Sequence, residues 1–282
     1  MIKNKELIDR SLRMKRAALA SIFEAGSGHP GGVLSCIDLI NYILCEKLDK
    51  NINTKFILSK GHAAPAIYSA AAENGWIKYS ELEKLRKLGS PLQGHPSVLE
   101  TPWVESSTGS LGQGFSFAIG MSMGFRHQNI PSNVYVMLGD GELQEGEIWE
   151  GAMCASHYKL GNLCAVVDYN KLQSDDLNEN IMGLEPLNKK WQSFNWNVIE
   201  IDGHDFNQIE SAFNNIKNIF DKPSVIIAHT IKGKGVSFME NIAAWHGSVK
   251  LNPDELEKAL RDLETPEEDI SRYIEGSIWS KL

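Results

Sequence analysis

Val134-Tyr135-Val136-Met137-Leu138-Gly139-Asp140-Gly141 is answered further along the chain by Leu163-Cys164-Ala165-Val166-Val167-Asp168-Tyr169-Asn170. Each is a short apolar run, rich in β-branched residues, that ends on a polar turn. Each therefore reads as a buried strand, residues 134–138 and 163–167, carrying polar side chains at its carboxyl end. Two further runs, residues 198–201 and 225–228, have the same character. They lead into Asp202-Gly203-His204 and into the segment His229 to Gly235. Helical patterns lie between the runs, over residues 111–126, 148–158 and 206–220. In the last of these Phe206, Ile209, Phe213, Ile216 and Phe220 fall on one face. Strands alternating with helices predict an α/β fold with a doubly wound parallel sheet flanked by helices. Ligands then bind beyond the carboxyl ends of the strands, where the chemistry-bearing residues fall.

Outward from this core the chain is less regular. The first hundred residues are mostly helical, broken by Ser27-Gly28-His29-Pro30-Gly31-Gly32 and by Ser59-Lys60-Gly61-His62, which closes a short apolar run. A charged helix over residues 253–263 is expected on the surface. With no repeat, low-complexity stretch or linker, residues 1–282 read as a single domain.

Composition narrows the function classes. The 282 residues carry 36 acidic against 28 basic side chains, a formal net charge of −8. A basic face for nucleic acid is therefore not the default expectation. No apolar run reaches the ~18–20 residues of a membrane span. The start, Met1 to Arg16, is charged and lacks a signal core. Cys36, Cys45, Cys154 and Cys164 sit in apolar stretches without metal-binding spacing, which predicts reduced, buried thiols in a soluble cytoplasmic protein. Ser280-Lys281-Leu282 matches the peroxisomal tripeptide and is read as an ordinary charged ending.

Four constellations carry chemistry. Asp140 and Asn170 lie 30 positions apart, each just after an expected strand. On neighbouring strands they would converge, and a carboxylate, an amide oxygen and backbone carbonyls suit Mg²⁺ or Ca²⁺. Gly139-Asp140-Gly141 alone reads more readily as an ordinary turn; Asn170, after a second strand, reverses that balance. Thr108-Gly109-Ser110-Leu111-Gly112-Gln113-Gly114 opens a helix where glycines would let the backbone approach a ring or a phosphate. It matches neither the dinucleotide nor the Walker pattern, and a capping turn reads equally well. His29, His62 and His95 each follow a glycine and His246 precedes one, which suggests rings presented into a cleft. No zinc-binding spacing joins them. Glu145 and Glu150 fall on the first turns of a helix, where the dipole favours carboxylates whether or not they are catalytic.

Taken together, these segments resemble the thiamine-diphosphate-binding domain of transketolases, from about residue 12 to residue 250. The resemblance is carried by the Ser27–Gly31, Leu58–His62 and Gly94-His95-Pro96 motifs and by Thr108 through Gly114. Leu138 through Gly146, Asp168 through Lys171 and Lys232 through Gly235 complete it, in the family's order. It implies the thiamine-diphosphate-binding fold. Asp140, Asn170 and the carbonyl of Leu172 correspond to metal ligands. His62, Gly141, Asn170 and His246 correspond to contacts to the diphosphate, and Gly109, Ser110 and Leu111 to contacts to the cofactor rings. His29, His95 and His246 correspond to residues that handle the substrate's hydroxyl and carbonyl oxygens. Glu145 and Glu150 correspond to glutamates at the subunit contact that connect two active sites.

The resemblance covers only part of a full transketolase, which runs to more than twice this length. The other domain supplies the glutamate that activates the cofactor and most arginines that hold the sugar phosphate. The chain is thus expected to be the amino-terminal subunit of a split transketolase. It would work with a separate carboxyl-terminal, pyrimidine-domain subunit, as a heterotetramer, on sugar phosphates. Two positions depart from the family pattern: Ser110 replaces a proline, and Trp103 stands where a glycine is expected. An indole beside the ring-binding loop would reshape the cleft and put the standard pentose substrate in doubt. A pathway-specific enzyme for an unusual sugar, a related synthase, or a non-catalytic partner-binding relic are the other readings. A relic would lose metal ligands or histidines first, and all are present.

Overall fold

A computed structural model of the protein describes residues 2–48, 53–247 and 249–281. Five strands form the sheet: β1 (Asn53–Leu58), β2 (Ser132–Gly139), β3 (Leu163–Tyr169), β4 (Asn197–Asp202) and β5 (Ser224–His229). Their order is β1-β2-β3-β5-β4, and every neighbouring pair is parallel. The helices are α1 (Ile2–Ala25), α2 (Pro30–Tyr42), α3 (Ala64–Glu73), α4 (Gln113–His127), α5 (Gly146–His157), α6 (Asn178–Met182), α7 (Leu187–Ser193), α8 (Phe206–Ile216), α9 (Pro253–Asp262) and α10 (Glu267–Ile274).

Strand periodicity splits the core in two. Val134, Val136 and Leu138 of β2 face one apolar cluster, together with α4, α5 and α7 residues such as Phe115, Ile148 and Trp191. Tyr135 and Met137, the alternate residues, face the other cluster, with α1, α2, α3 and α8. β3 and β5 alternate in the same way. Burial on both faces is why these strands read as continuous apolar runs.

The sequence expectations hold for the sheet and need correction at its margins. The apolar run before Ser59 is a strand in its own right, β1, paired along its length with β2. The run at residues 198–201 is not fully buried: β4 is an edge strand, and of that run Ile201 alone is buried. Phe220 does not extend the apolar face of α8 but is 79% exposed. The helix ends at Ile216, and the Phe220 backbone then packs where a side chain at Gly161 would stand, 2.3 Å from an ideal Cβ there, so its ring points outward. Nor is the tail a surface appendage. α9 opens with a capping box between Asn252 and Glu255 and buries Leu256, Ala259 and Leu260 in the same core as α1. Arg16 of α1 donates to the Leu263 carbonyl at 2.7 Å. All four cysteines are free; Cys36 and Cys164 are buried, but Cys45 and Cys154 are half-buried. Cys154 lines an open groove beside α4, which is why it escapes burial. Among the described residues no helix is long and apolar enough to cross a membrane. Leu282, the last residue of the terminal tripeptide, lies outside the described residues.

Candidate active site

Because all five strands run the same way, their carboxyl ends share one edge of the sheet. A cavity of about 230 Å³ lies there, lined by residues that follow β1, β2, β3 and β5. The β2–β3 register sets Gly139 opposite Asp168, so Asp140 and the Asn170 turn leave the sheet side by side. An Asp140 carboxylate oxygen accepts the Lys171 amide at 2.5 Å, and Asn170 Oδ1 accepts the Leu172 amide at 3.1 Å. Asp140, Asn170 and Leu172 all line the cavity.

These groups fit a hard cation. They offer a carboxylate, an amide oxygen and a main-chain carbonyl, a set without nitrogen or sulfur. Among the described residues no three His, Cys, Asp or Glu side chains cluster as a metal site, and a ligand set of this kind does not need them. A positive charge already sits at the carbonyl: Lys232 Nζ donates to the Leu172 oxygen at 2.6 Å and lies 2.5 Å from His246 Nδ1. Burial of Asp140, with Asp168 nearby, raises its carboxyl above the ordinary range. A cation at its oxygens would oppose that.

Sequence reasoning assigned no role to four charged residues that organise this cavity: Asp168, Lys60, Lys232 and Glu142. Asp168 is fully buried, and one of its oxygens accepts Lys60 Nζ at 2.5 Å, Ser35 Oγ at 2.6 Å and Asn170 Nδ2 at 3.3 Å. Its other oxygen accepts the Thr230 hydroxyl. Burial alone would lower Lys60, but Asp168 holds it above its ordinary value. Lys232 is 1% exposed with no carboxylate at ion-pair distance among the described residues, and burial lowers it. Glu142 accepts from Ser59 Oγ at 2.5 Å and from the Gly112 and Gly139 amides at 2.8 and 2.9 Å. It ties β1, the glycine loop and β2 together. Gly112, at φ +88°, adopts the left-handed backbone that starts α4 two residues later than expected. The signal for the lysines was present: each stands in a Lys-Gly pair after a strand.

Three of the four singled-out histidines meet in the cavity. The ring centres of His29, His62 and His246 are 5.3, 5.5 and 6.0 Å apart. Burial, with Arg86 and His95 next in effect, lowers His29 to about 4. Burial and Lys232 lower His246 to about 3, and burial and Lys60 push His62 well down. All three are neutral near pH 7. His29 Nδ1 is buried with no hydrogen-bond partner among the described residues. His95 is exposed at the rim, its ring 3.3 Å from where a Cβ on Gly109 would stand.

Gly109, Leu111 and Gly141 line the cavity. Ser110, Glu145 and Glu150 do not: all three are exposed, and Glu150 lines the groove between α4 and α5. Trp103 stays out of the cleft as well, contrary to the expectation of an indole reshaping it. It packs edge-on against Tyr68 at 6.0 Å and beside Trp76 at 5.8 Å, in a separate apolar cavity at the edge of β1.

A family model described as transketolase, thiamine diphosphate binding domain, matches residues 8–269. The chain belongs to the transketolase family. Among its transketolase relatives, an apulose-4-phosphate transketolase subunit of Phocaeicola vulgatus is 36% identical over 274 residues, 95% of this chain and 97% of that one. The 6-deoxy-6-sulfo-D-fructose transketolase subunit of a Clostridium species is 40% identical over 258 residues, 89% and 94% of the two chains. Human transketolase is 37% identical over 253 residues, which make up only 40% of its length. Transketolase from Campylobacter jejuni superposes on 98% of this chain with a TM-score of 0.85 and 26% identity, using 48% of its own chain. The chain thus spans nearly all of the separate subunits and less than half of the longer transketolases.

Proposed function

We propose that this chain is the amino-terminal subunit of a two-subunit transketolase. In this reading it binds thiamine diphosphate through Mg²⁺, or Ca²⁺, and transfers a two-carbon ketol unit between sugar phosphates. The observation that carries the reading is the convergence of Asp140, Asn170 and the Leu172 carbonyl on one cavity with two buried lysines and three neutral histidines. Residues 1–282 act as one diphosphate-binding domain in the cytoplasm. The partner is a separate pyrimidine-domain subunit, and the assembly is a heterotetramer.

The roles follow from placement. Asp140, Asn170 and the Leu172 carbonyl hold the cation, which neutralises a diphosphate. His62, Lys60 and Lys232 lie beside it, and Gly141 leaves room for phosphate oxygens. Gly109, Ser110 and Leu111 meet the ring end. When bound, the cofactor supplies a nucleophilic carbon and a sink for the electron pair left by C–C cleavage. His29, His95 and His246 orient the ketose and hold protons at its hydroxyl and carbonyl oxygens; a neutral imidazole can both donate and accept there. Glu145 and Glu150 sit at the subunit contact, where their exposure in the single chain is accounted for.

A second reading keeps this chemistry and changes the sugar. It is favoured by the 36–40% identity to subunits named for apulose-4-phosphate and for 6-deoxy-6-sulfo-D-fructose. Both readings are tested by purifying the chain with and without its partner and assaying ketol transfer with thiamine diphosphate and Mg²⁺. Turnover is expected only with the partner, and the donor panel separates ordinary from modified sugars. Robust turnover by the chain alone would overturn the two-subunit reading. Absence of any heat-stability shift with cofactor and metal, even with the partner present, would leave a partner-binding relic.

A further inference from the structure

Behind the cavity a second row of buried polar groups runs from α1 to the loop that carries Lys232. Lys15 of α1 lies 3.1 Å from Asp38 of α2, and both are more than nine-tenths buried. Asp38 accepts from His204 Nδ1 at 2.7 Å. On the other side of the ring, His204 Nε2 accepts the Ile231 amide at 3.0 Å. Ile231 is the residue before Lys232. His204 stands in the turn after β4, and its own amide donates to Asp202 at 2.8 Å.

The geometry fixes the ring's proton. A backbone N–H can donate only to an unprotonated nitrogen, so Nε2 carries the lone pair and Nδ1 carries the hydrogen that Asp38 accepts. Burial alone would raise Asp38, yet Lys15 and His204 hold its carboxyl below the ordinary range, so the acceptor stays ionised. A buried ion pair is weak as a source of stability. What this one does is orient an imidazole toward one amide, on the loop that feeds the cavity. Other bonds hold that loop at its flanks: Thr230 donates to the Tyr169 carbonyl at 3.1 Å and Gly233 to the Gly31 carbonyl at 3.0 Å. Between them, the Ile231 amide donates to His204, while the Ile231 carbonyl accepts the Lys234 amide at 3.2 Å and the Lys232 carbonyl accepts the Asn241 amide at 2.9 Å.

We propose that His204 is a positioning residue for the diphosphate end of the site. It sets the Ile231 backbone and, through it, the reach of the Lys232 ammonium into the cavity. The inference rests on the cofactor reading above, since it assigns Lys232 to the diphosphate.

The test is calorimetric titration of the full chain with thiamine diphosphate and, separately, with inorganic diphosphate, each in excess Mg²⁺. His204→Phe should weaken both ligands by a similar factor, about tenfold. His204→Gln keeps an acceptor within reach of the Ile231 amide and should stay within about threefold of the unmodified chain. The deciding measurement is a double-variant cycle. If His204 acts through Lys232, His204→Phe combined with Lys232→Ala binds no more weakly than Lys232→Ala alone. Additive losses would overturn the inference, as would undiminished affinity in a folded His204→Phe chain. Should His204→Phe fail to fold, Asp38→Asn paired with Lys232→Ala makes the same cycle through the ring's other partner. If neither the unmodified chain nor its assembly with the partner subunit binds either probe, the cofactor reading and this inference fall together. Binding of both probes with additive losses would overturn this inference alone.

Discussion

The Lys232 ammonium rests on the Leu172 carbonyl at 2.6 Å, the oxygen that the family pattern assigns to the metal. A lysine charge and a divalent cation cannot both occupy that oxygen at close range without repulsion. If the site holds a cation as proposed, Lys232 would have to leave that carbonyl and could turn toward the diphosphate. Lys232→Met should keep the fold and raise the stability of the free chain by ~1 kcal/mol or more, because burying an ammonium without a carboxylate partner is costly. The same variant should bind thiamine diphosphate ~10–100-fold more weakly. Urea melts of the free chain and cofactor titration measure the two effects, which are expected to have opposite signs.

Metal dependence should trace to Asp140. Asp140→Asn keeps the shape of the side chain and its place beside the Lys171 amide but removes the charge a divalent ion needs. The expected result is loss of the stabilisation given by Mg²⁺ plus thiamine diphosphate, with the melting temperature of the free chain unchanged or raised, since burial disfavours the ionised form. A cofactor-induced shift in Asp140→Asn equal to that of the unmodified chain would remove Asp140 from the metal site.

This part of the site was legible because position after a strand is a sequence property. Asp140 and Asn170 follow two apolar runs, and parallel pairing brings such ends together. Asp168 and Glu142 were not legible as organisers, although they sit in the same motifs. Their roles depend on contacts with Ser35, Thr230 and Gly112, distant in sequence and brought close only by the packing of α2 and the glycine loop. Phe220 misled for a similar reason: helical periodicity continues past Ile216, but the chain leaves the helix there and brings the Phe220 backbone against Gly161, where a side chain would leave no room.

Trp103 illustrates the limit of arguing from neighbours in sequence. It lies close along the chain to Gly109, yet its indole packs with Tyr68 and Trp76 away from the cleft. Trp103→Gly should therefore leave thiamine diphosphate affinity unchanged and destabilise the fold by ~2–4 kcal/mol through lost aromatic packing. Thermal melts and cofactor titration of the same preparation separate the two outcomes.

The neutral histidines make stability depend on pH. His29 and His246 sit at about 4 and about 3, below the 6.5 of an exposed imidazole. The unfolded chain takes up protons first, so the fold loses stability as pH drops below about 6.5 and keeps losing it toward about 4. Above about pH 7 both states are neutral and the effect vanishes. Melting temperatures measured from pH 7 down to pH 4 should fall, and His29→Asn should flatten part of that slope. An unchanged slope in His29→Asn would mean that its ring is not held neutral.

Lys60 and Asp168 form the sharpest stability test. Both are buried, and the pair sits 2.5 Å apart, with Lys60 lining the cavity and Asp168 behind it. Removing one partner leaves the other charged and desolvated, which costs ~3–5 kcal/mol. Asp168→Asn should therefore lower stability by about that much, with Asn170 and Thr230 also losing their charged acceptor. Lys60→Met combined with Asp168→Asn should recover a large part of the loss, because no charge is then left unpaired. Cofactor affinity should not recover with it, since Lys60 lines the cavity proposed to hold the diphosphate and its replacement carries no charge. Urea denaturation of the two single variants and the double variant gives the coupling energy directly. A double variant as unstable as the sum of the singles would mean that the pair is held by its surroundings rather than by its charges.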